Sequence, residues 1–167
     1  MSKESLSPND RARKVAAVNA AVDAYLSGFT PLPVLAGAKR PSISTWQRVR
    51  WPEPPTPQGA EEVRARFEEY ADGDATNLGV SLGEPSGDLI DVDIDHPAAT
   101  RLRHYFLPRT AARHGRATNP DSHYWYIATE GTLPGTRRFK IPDADDPART
   151  TVSVELRTTG AQTVVPP

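Results

Sequence analysis

Residues 89–96 read LIDVDIDH, an apolar run interrupted by an aspartate at every second position. In an extended strand successive side chains point to opposite faces, so Asp91, Asp93 and Asp95 are expected on one face and Ile90, Val92 and Ile94 on the other. Three carboxylates in a row repel one another unless a cation, basic neighbours or water compensates. Something positive is expected beside them. Mg²⁺ or Mn²⁺ would suit, because these hard ions take oxygen ligands and commonly use one or two carboxylates together with substrate phosphates. A solvated strand face, or an acidic cap on a helix opening near Pro97, explains the same residues without a metal.

Two other stretches bear on that choice. In VSVELR (152–157) a lone acid, Glu155, sits in a run that alternates as a half-buried strand does. Such a glutamate is ordinarily an edge residue facing water. If its strand neighbours the aspartate strand, Glu155 completes a three-carboxylate cluster of the sort that holds two cations for phosphoryl or nucleotidyl transfer. In DSHYWY (121–126), Ser122 and His123 open a strand, where a histidine can donate to a phosphate or to developing negative charge. A single strand histidine is more often an ordinary satisfied residue.

Basic groups gather between these pieces. Arg109, Arg113, His114 and Arg116 fall in PRTAARHGRATNPDSH (108–123), which reads as a loop able to grip backbone phosphates, with Tyr124 or Trp125 nearby to stack on bases. Lys39 and Arg40 stand beside a turn in AGAKRPSISTW (36–46), positioned for a phosphate or simply for solvent.

Bulk properties narrow the classes. The 167 residues suffice for one domain with a real core, or for a catalytic module of something longer. The formal net charge of -1 carries no global signal for nucleic acid or membrane, so any basic site must be local. There is no cysteine, which excludes disulfides and thiolate metal sites. No stretch is apolar enough to span a bilayer and the start lacks the core of a signal peptide, so an intracellular protein is expected. The 17 prolines and 11 glycines are spread between apolar runs, the pattern of a folded, loop-heavy domain.

The pattern predicts a disordered tail over 1–9 and one domain over 10–167. A helix is expected from about Asp10, capped by that residue, with Val15, Val18, Val22 and Leu26 as its apolar stripe and Gly28 at its end. FTPLPVLAG reads as a proline-interrupted edge strand, and the prolines from Pro52 to Pro57 as a stiff connector. A second helix is expected over Pro57–Tyr70, with early acids at its positive end. ATNLGVSLG and DLIDVDID read as two strands of a hairpin turning at EPSG. HPAATRLRHYFLP reads as a third helix, followed by strands at SHYWYIAT, RRFKI, TVSVELR and QTVV. The fold class expected is α+β, with a sheet covered by helices.

Taken in order, GFTPLPVLAGAKRPSISTW, TNLGVSLG, LIDVDIDH, the Ser122–His123 pair and VELRTTGAQTVVPP resemble the primase-polymerase (Prim-Pol) branch of the archaeo-eukaryotic primase superfamily, found in phage and plasmid replication proteins. The resemblance runs from about Gly28 to the C-terminus. It implies a catalytic sheet like that of an RNA-recognition fold, antiparallel or mixed, with a small additional α/β element.

It also implies DNA primase and polymerase activity by a two-metal mechanism in the cytoplasm of a bacterial host. Two Mg²⁺ or Mn²⁺ ions would be held by acids among Asp91, Asp93, Asp95 and Glu155. The family's acid-x-acid pair maps onto Asp93 and Asp95, with Asp91 and Asp93 as the other register. Its Ser-x-His element maps onto Ser122 and His123, which are adjacent here. Its single late acid maps onto Glu155. Ser122, His123 and Lys39 would contact a dNTP or NTP, while Arg109, Arg113 and Arg116 would hold a single-stranded template and primer. The chain is expected to continue, as relatives do, into further parts that include a helicase. A metal-dependent nuclease or phosphohydrolase using the same carboxylates, and a non-catalytic DNA-binding module, are the rival readings.

Overall fold

The computed structural model describes residues 7–35, 37–70, 76–129, 133, 135–143 and 145–165. Of the expected N-terminal tail, residues 1–6 lie outside the described residues. The chain is α+β and divides into two compact units.

The first unit comprises residues 1–81, 85–87 and 162–167. Its first helix, α1 (Pro8–Leu26), starts earlier than the sequence suggests. Ser7 is the cap: its Oγ accepts from the Asp10 backbone N–H at 3.2 Å and donates to Asp10 Oδ2 at 2.6 Å. Pro8 follows at the first turn, where its missing N–H costs nothing. The buried stripe is Ala17, Val18, Ala21, Val22 and Tyr25, whereas Val15 and Leu26 are about half exposed. Two alanines let the helix lie close, and this rotates the contact face away from the expected valine–leucine line.

β1 (Pro31–Leu35) is an edge strand, as its prolines require. α2 (Pro57–Tyr70) has the expected bounds, but no acid occupies its first turn; Glu61 and Glu62 come later. The Tyr25 hydroxyl positions the start of α2 by donating to Pro52 O at 2.9 Å and accepting from Thr56 N at 3.1 Å. Gly59 is required beneath it, since a Cβ there would stand 2.0 Å from that hydroxyl oxygen. β2 (Thr76–Ser81) pairs antiparallel with β1 on one side and with the last strand on the other.

The expected hairpin at EPSG does not form. β2 and the following strand, β3 (Leu89–Ile94), belong to different sheets. Between them Glu84–Ser86 make a 3-10 turn, Ser86 Oγ donates to Ser81 O at 2.6 Å, and Gly83, Gly87 and Asp88 take positive φ. The chain does reverse here, with Gly83 N–H donating to Leu89 O at 2.7 Å and Asp88 N–H to Gly83 O at 3.1 Å, but the antiparallel pairing stops at the single bridge between Gly83 and Leu89.

The second unit comprises residues 82–84 and 88–161. β3 is followed by α3 (Pro97–Phe106), β4 (Arg113–Arg116), β5 (Asn119–Ile127), β6 (Arg137–Pro142) and β7 (Thr150–Arg157). The last strand, β8 (Gln162–Val165), returns to the first unit. The five-stranded sheet is antiparallel throughout, in the order β4-β5-β3-β7-β6, with β3 at its centre.

The stretch 108–123, expected to be a loop, instead supplies β4 and the start of β5, which begins three residues before Ser122. Their pairing carries an irregularity between His114 and Arg116. Gly115 is needed there, because a Cβ would come within 2.2 Å of the Asn119 carbonyl oxygen. One face of this sheet is apolar: Val92, Ile94 and Tyr124 pack with Ala99 and Leu107 of the α3 region and with Tyr126, Val154 and Leu156. α3 itself buries no residue fully. No helix among the described residues is long and apolar enough to cross a membrane.

Candidate active site

The period-two rule assigns the other face of β3 to Asp91 and Asp93. Register then chooses their neighbours. Asp93 lies between His123 of β5 and Glu155 of β7, and Asp91 between Trp125 and Arg157. Residues directly opposite on adjacent strands share a face, so two aspartates, a glutamate, a histidine and an arginine converge at the middle of the sheet. Asp91 is fully buried, Asp93 is 4% and Glu155 9% exposed. Acids this deep stay in a fold only with partners.

Their partners are basic side chains. His123 Nδ1 meets Asp91 Oδ2 at 2.9 Å, and its Nε2 lies 3.7 Å from Asp93 Oδ1. Arg157 donates from Nε to Glu155 Oε2 at 2.9 Å and from Nη2 to Asp93 Oδ2, while its Nη1 stands 3.8 Å from Asp91 Oδ2. Arg138 of β6 donates from Nε to the other Glu155 oxygen at 2.8 Å. One acceptor is left over: Asp91 Oδ1 is buried without a hydrogen-bond partner.

These contacts set the protonation states. Burial pushes the Asp93 carboxyl above its ordinary value, with the negative charges of Asp95 and Asp91 acting in the same sense, against the opposing pull of His123 and Arg157. For His123, burial disfavours the cation, but the hydrogen bond to Asp91 and the charges of Asp91 and Asp93 outweigh it, so its pKa is raised. Behind it, His114 of β4 stacks ring on ring at 4.6 Å and meets Trp125 edge-on at 5.2 Å. Both His114 nitrogens are buried without partners, and burial followed by repulsion from His123 lowers its pKa to about 4. His114 is therefore a weakly basic platform under an imidazole whose charged form is favoured.

The other expected site residues are distributed differently. Asp95 falls one residue past the end of β3 and is exposed. Ser122 is buried, and alternation puts it on the apolar face, opposite to His123. Arg113, paired with Tyr124, also belongs to that opposite face, with its Nε 3.5 Å from Asp121 Oδ1. Arg109 and Arg116 are exposed, before β4 and at its end. Lys39 lies in the first unit, exposed, with its carbonyl accepting from Gln162 Nε2 at 2.7 Å.

Arg157, Arg138 and the stacking role of His114 escaped the sequence reading. For Arg157 a signal was present, since the alternation that faces Glu155 inward puts the residue two further on beside it.

Whether the carboxylates suit a divalent ion is a matter of donor chemistry. Asp91, Asp93 and Glu155 are hard oxygen donors from adjacent strands, and the buried Asp91 Oδ1 is an acceptor without a hydrogen-bond partner. The residues fit. Among the described residues, however, no group of three or more Asp, Glu, His or Cys side chains stands in a ready-made metal-holding arrangement. Arg157 stands among the carboxylates instead.

Grouped carboxylates with an imidazole and guanidinium groups on one sheet face form the kind of site that phosphoryl chemistry uses. Residues 21–167 match the family described as bifunctional DNA primase/polymerase, N-terminal. The chain thus belongs to the Prim-Pol family, and that membership points to DNA primase/polymerase activity in replication and to interaction with DNA and nucleotides. No curated protein matches the chain.

Proposed function

We propose that this domain catalyses template-directed nucleotidyl transfer, adding nucleotides to a 3′-hydroxyl in the replication of a phage or plasmid. The observation that carries the reading is the register of β5, β3 and β7, which sets His123, Asp93 and Glu155 abreast with Asp91 beside them. Asp91 and Asp93, the two acids within the strand, are the acid-x-acid pair in this reading, and Glu155 is the single late acid.

Held by these carboxylates, Mg²⁺ or Mn²⁺ would neutralise triphosphate charge and ease formation of the attacking alkoxide. The chain's own groups do the rest. Asp91 fixes the His123 ring through Nδ1 and favours its charged form, leaving Nε2 to donate to a phosphate oxygen. Arg138, on the exposed edge strand, holds Glu155 in place. Arg109 and Arg116 are exposed cations able to take template phosphates, whose bases are read by pairing and not by the protein.

The test is incubation of the protein with Mn²⁺, a primed single-stranded template and dNTPs. Extension of the primer supports the proposal. Degradation of the strand would assign the same carboxylates to a nuclease, and binding without turnover would leave a DNA-binding module.

A further inference from the structure

Arg157 reaches all three buried acids of the site. Its guanidinium addresses Glu155, Asp93 and Asp91, the same three carboxylates that the proposed function assigns to divalent ions. A planar fork of donors spreads one positive charge over several oxygens, and here it does so where those oxygens are nearly dry. An incoming divalent ion meets a like charge at its own ligands, and the lone pairs it needs are partly engaged.

Resting on the metal-dependent reading above, we propose that Arg157 is a counter-cation of the three carboxylates, which must leave them for a divalent ion to bind. Three further observations bear on this. Arg157 is the last residue of β7, and although Thr158 after it is buried, Thr159 and Gly160 are exposed, so the strand end lies near solvent toward which the stem can swing. Its side chain already keeps 23% of its surface exposed, whereas that of Asp91 keeps none. Arg138 independently holds the other oxygen of Glu155, so the glutamate stays oriented when Arg157 goes. The buried Asp91 Oδ1, which Arg157 does not satisfy, remains as the first acceptor available to the ion.

The exchange makes Arg157 a positioning residue that sets the metal concentration at which the site fills. It also keeps the carboxylates together when metal is scarce. Removing the guanidinium is therefore expected to weaken the metal-free fold and strengthen metal binding at once. A residue needed only for architecture would weaken both.

The test measures Mn²⁺ binding by electron paramagnetic resonance, and thermal unfolding with and without Mn²⁺, for the wild-type chain, R157Q and R157K. R157Q should melt lower without metal, bind Mn²⁺ on the order of tenfold more tightly, equivalent to about 1.4 kcal/mol, and gain more melting temperature from Mn²⁺ than wild type does. R157K, which keeps the charge without the fork, should lie between. Should R157Q not fold, titrating Mg²⁺ into the wild-type chain while following the Arg157 Nε–H resonance gives the same answer: the signal should shift as the carboxylates are released.

Equal or weaker Mn²⁺ binding by R157Q, or an unmoved Arg157 resonance while Mg²⁺ binds, overturns the exchange and leaves the proposed function standing. If neither wild type nor R157Q binds Mn²⁺, both fall.

Discussion

Replacing Glu155 by Gln probes the site with little change of shape. Its carboxylate accepts from Arg138 Nε at 2.8 Å and from Arg157 Nε at 2.9 Å. Hydrogen bonds to charged groups contribute ~1.5–3 kcal/mol each, whereas pairs with an exposed partner contribute only ~0.2–1 kcal/mol. Arg138 is 62% exposed and Arg157 only 23%, so most of the loss comes from the Arg157 side. Gln keeps one acceptor oxygen, which places the net destabilisation at ~1–3 kcal/mol. At ~2–4 °C per kcal/mol for a chain of this size, the melting temperature should fall by ~2–12 °C.

Nucleotide addition should suffer far more. Groups that merely support a metal ligand cost ~10–100-fold when removed, so loss of a ligand should exceed about 100-fold. Primer extension with Mn²⁺ and dNTPs measures the activity, and circular dichroism confirms the fold. A variant that melts within this range yet extends primers at the wild-type rate would refute the assignment of Glu155.

Three other outcomes are expected. Asp91→Asn should abolish Mn²⁺ binding measured by calorimetry, and Asp95→Asn should retain it; the reverse pattern would move the acid-x-acid pair one step along the strand. His114 has a folded pKa of about 4 against an ordinary 6.5, so the unfolded chain takes up its proton first and the fold loses stability as pH falls through that window. His123 acts oppositely, adding stability below its ordinary pKa that is lost as pH rises through the raised one. H114F keeps the stacking ring without the proton, so its melting temperature should drop less than that of wild type between about pH 7 and pH 5; equal drops would refute the burial argument. Gly59→Ala puts a methyl group 2.0 Å from the Tyr25 hydroxyl oxygen and should cost ~1–3 kcal/mol by overpacking, read by thermal denaturation; an unchanged melt would mean that the start of α2 shifts freely.

Alternation carried most of what could be read in advance. In LIDVDI it separates two acids from the apolar residues without any knowledge of the partner strands, and in VSVELR it does the same for Glu155. Which strands lie beside β3 is a long-range matter, since β5 and β7 pair with it across intervening elements. Hence the company of Asp93 could be framed only as a condition. The EPSG turn misled because turn residues announce a reversal but not the sheet in which the next strand pairs. β4 was missed because RHGR has little intrinsic strand preference and exists through its pairing with β5. Asp95 was expected in line with Asp91 and Asp93 and stands one residue past β3 instead, because a strand's end is the least legible part of it.

β8 has a consequence for anyone shortening this chain. It is made of residues that follow the late glutamate, yet it hydrogen-bonds along β2, a strand formed from residues some eighty positions earlier. Trimming after Ala161 would leave every acid in place. It would also bare the flank of β2, a row of amide and carbonyl groups open to any passing strand. The shortened protein should keep its chemistry on paper and aggregate in the tube.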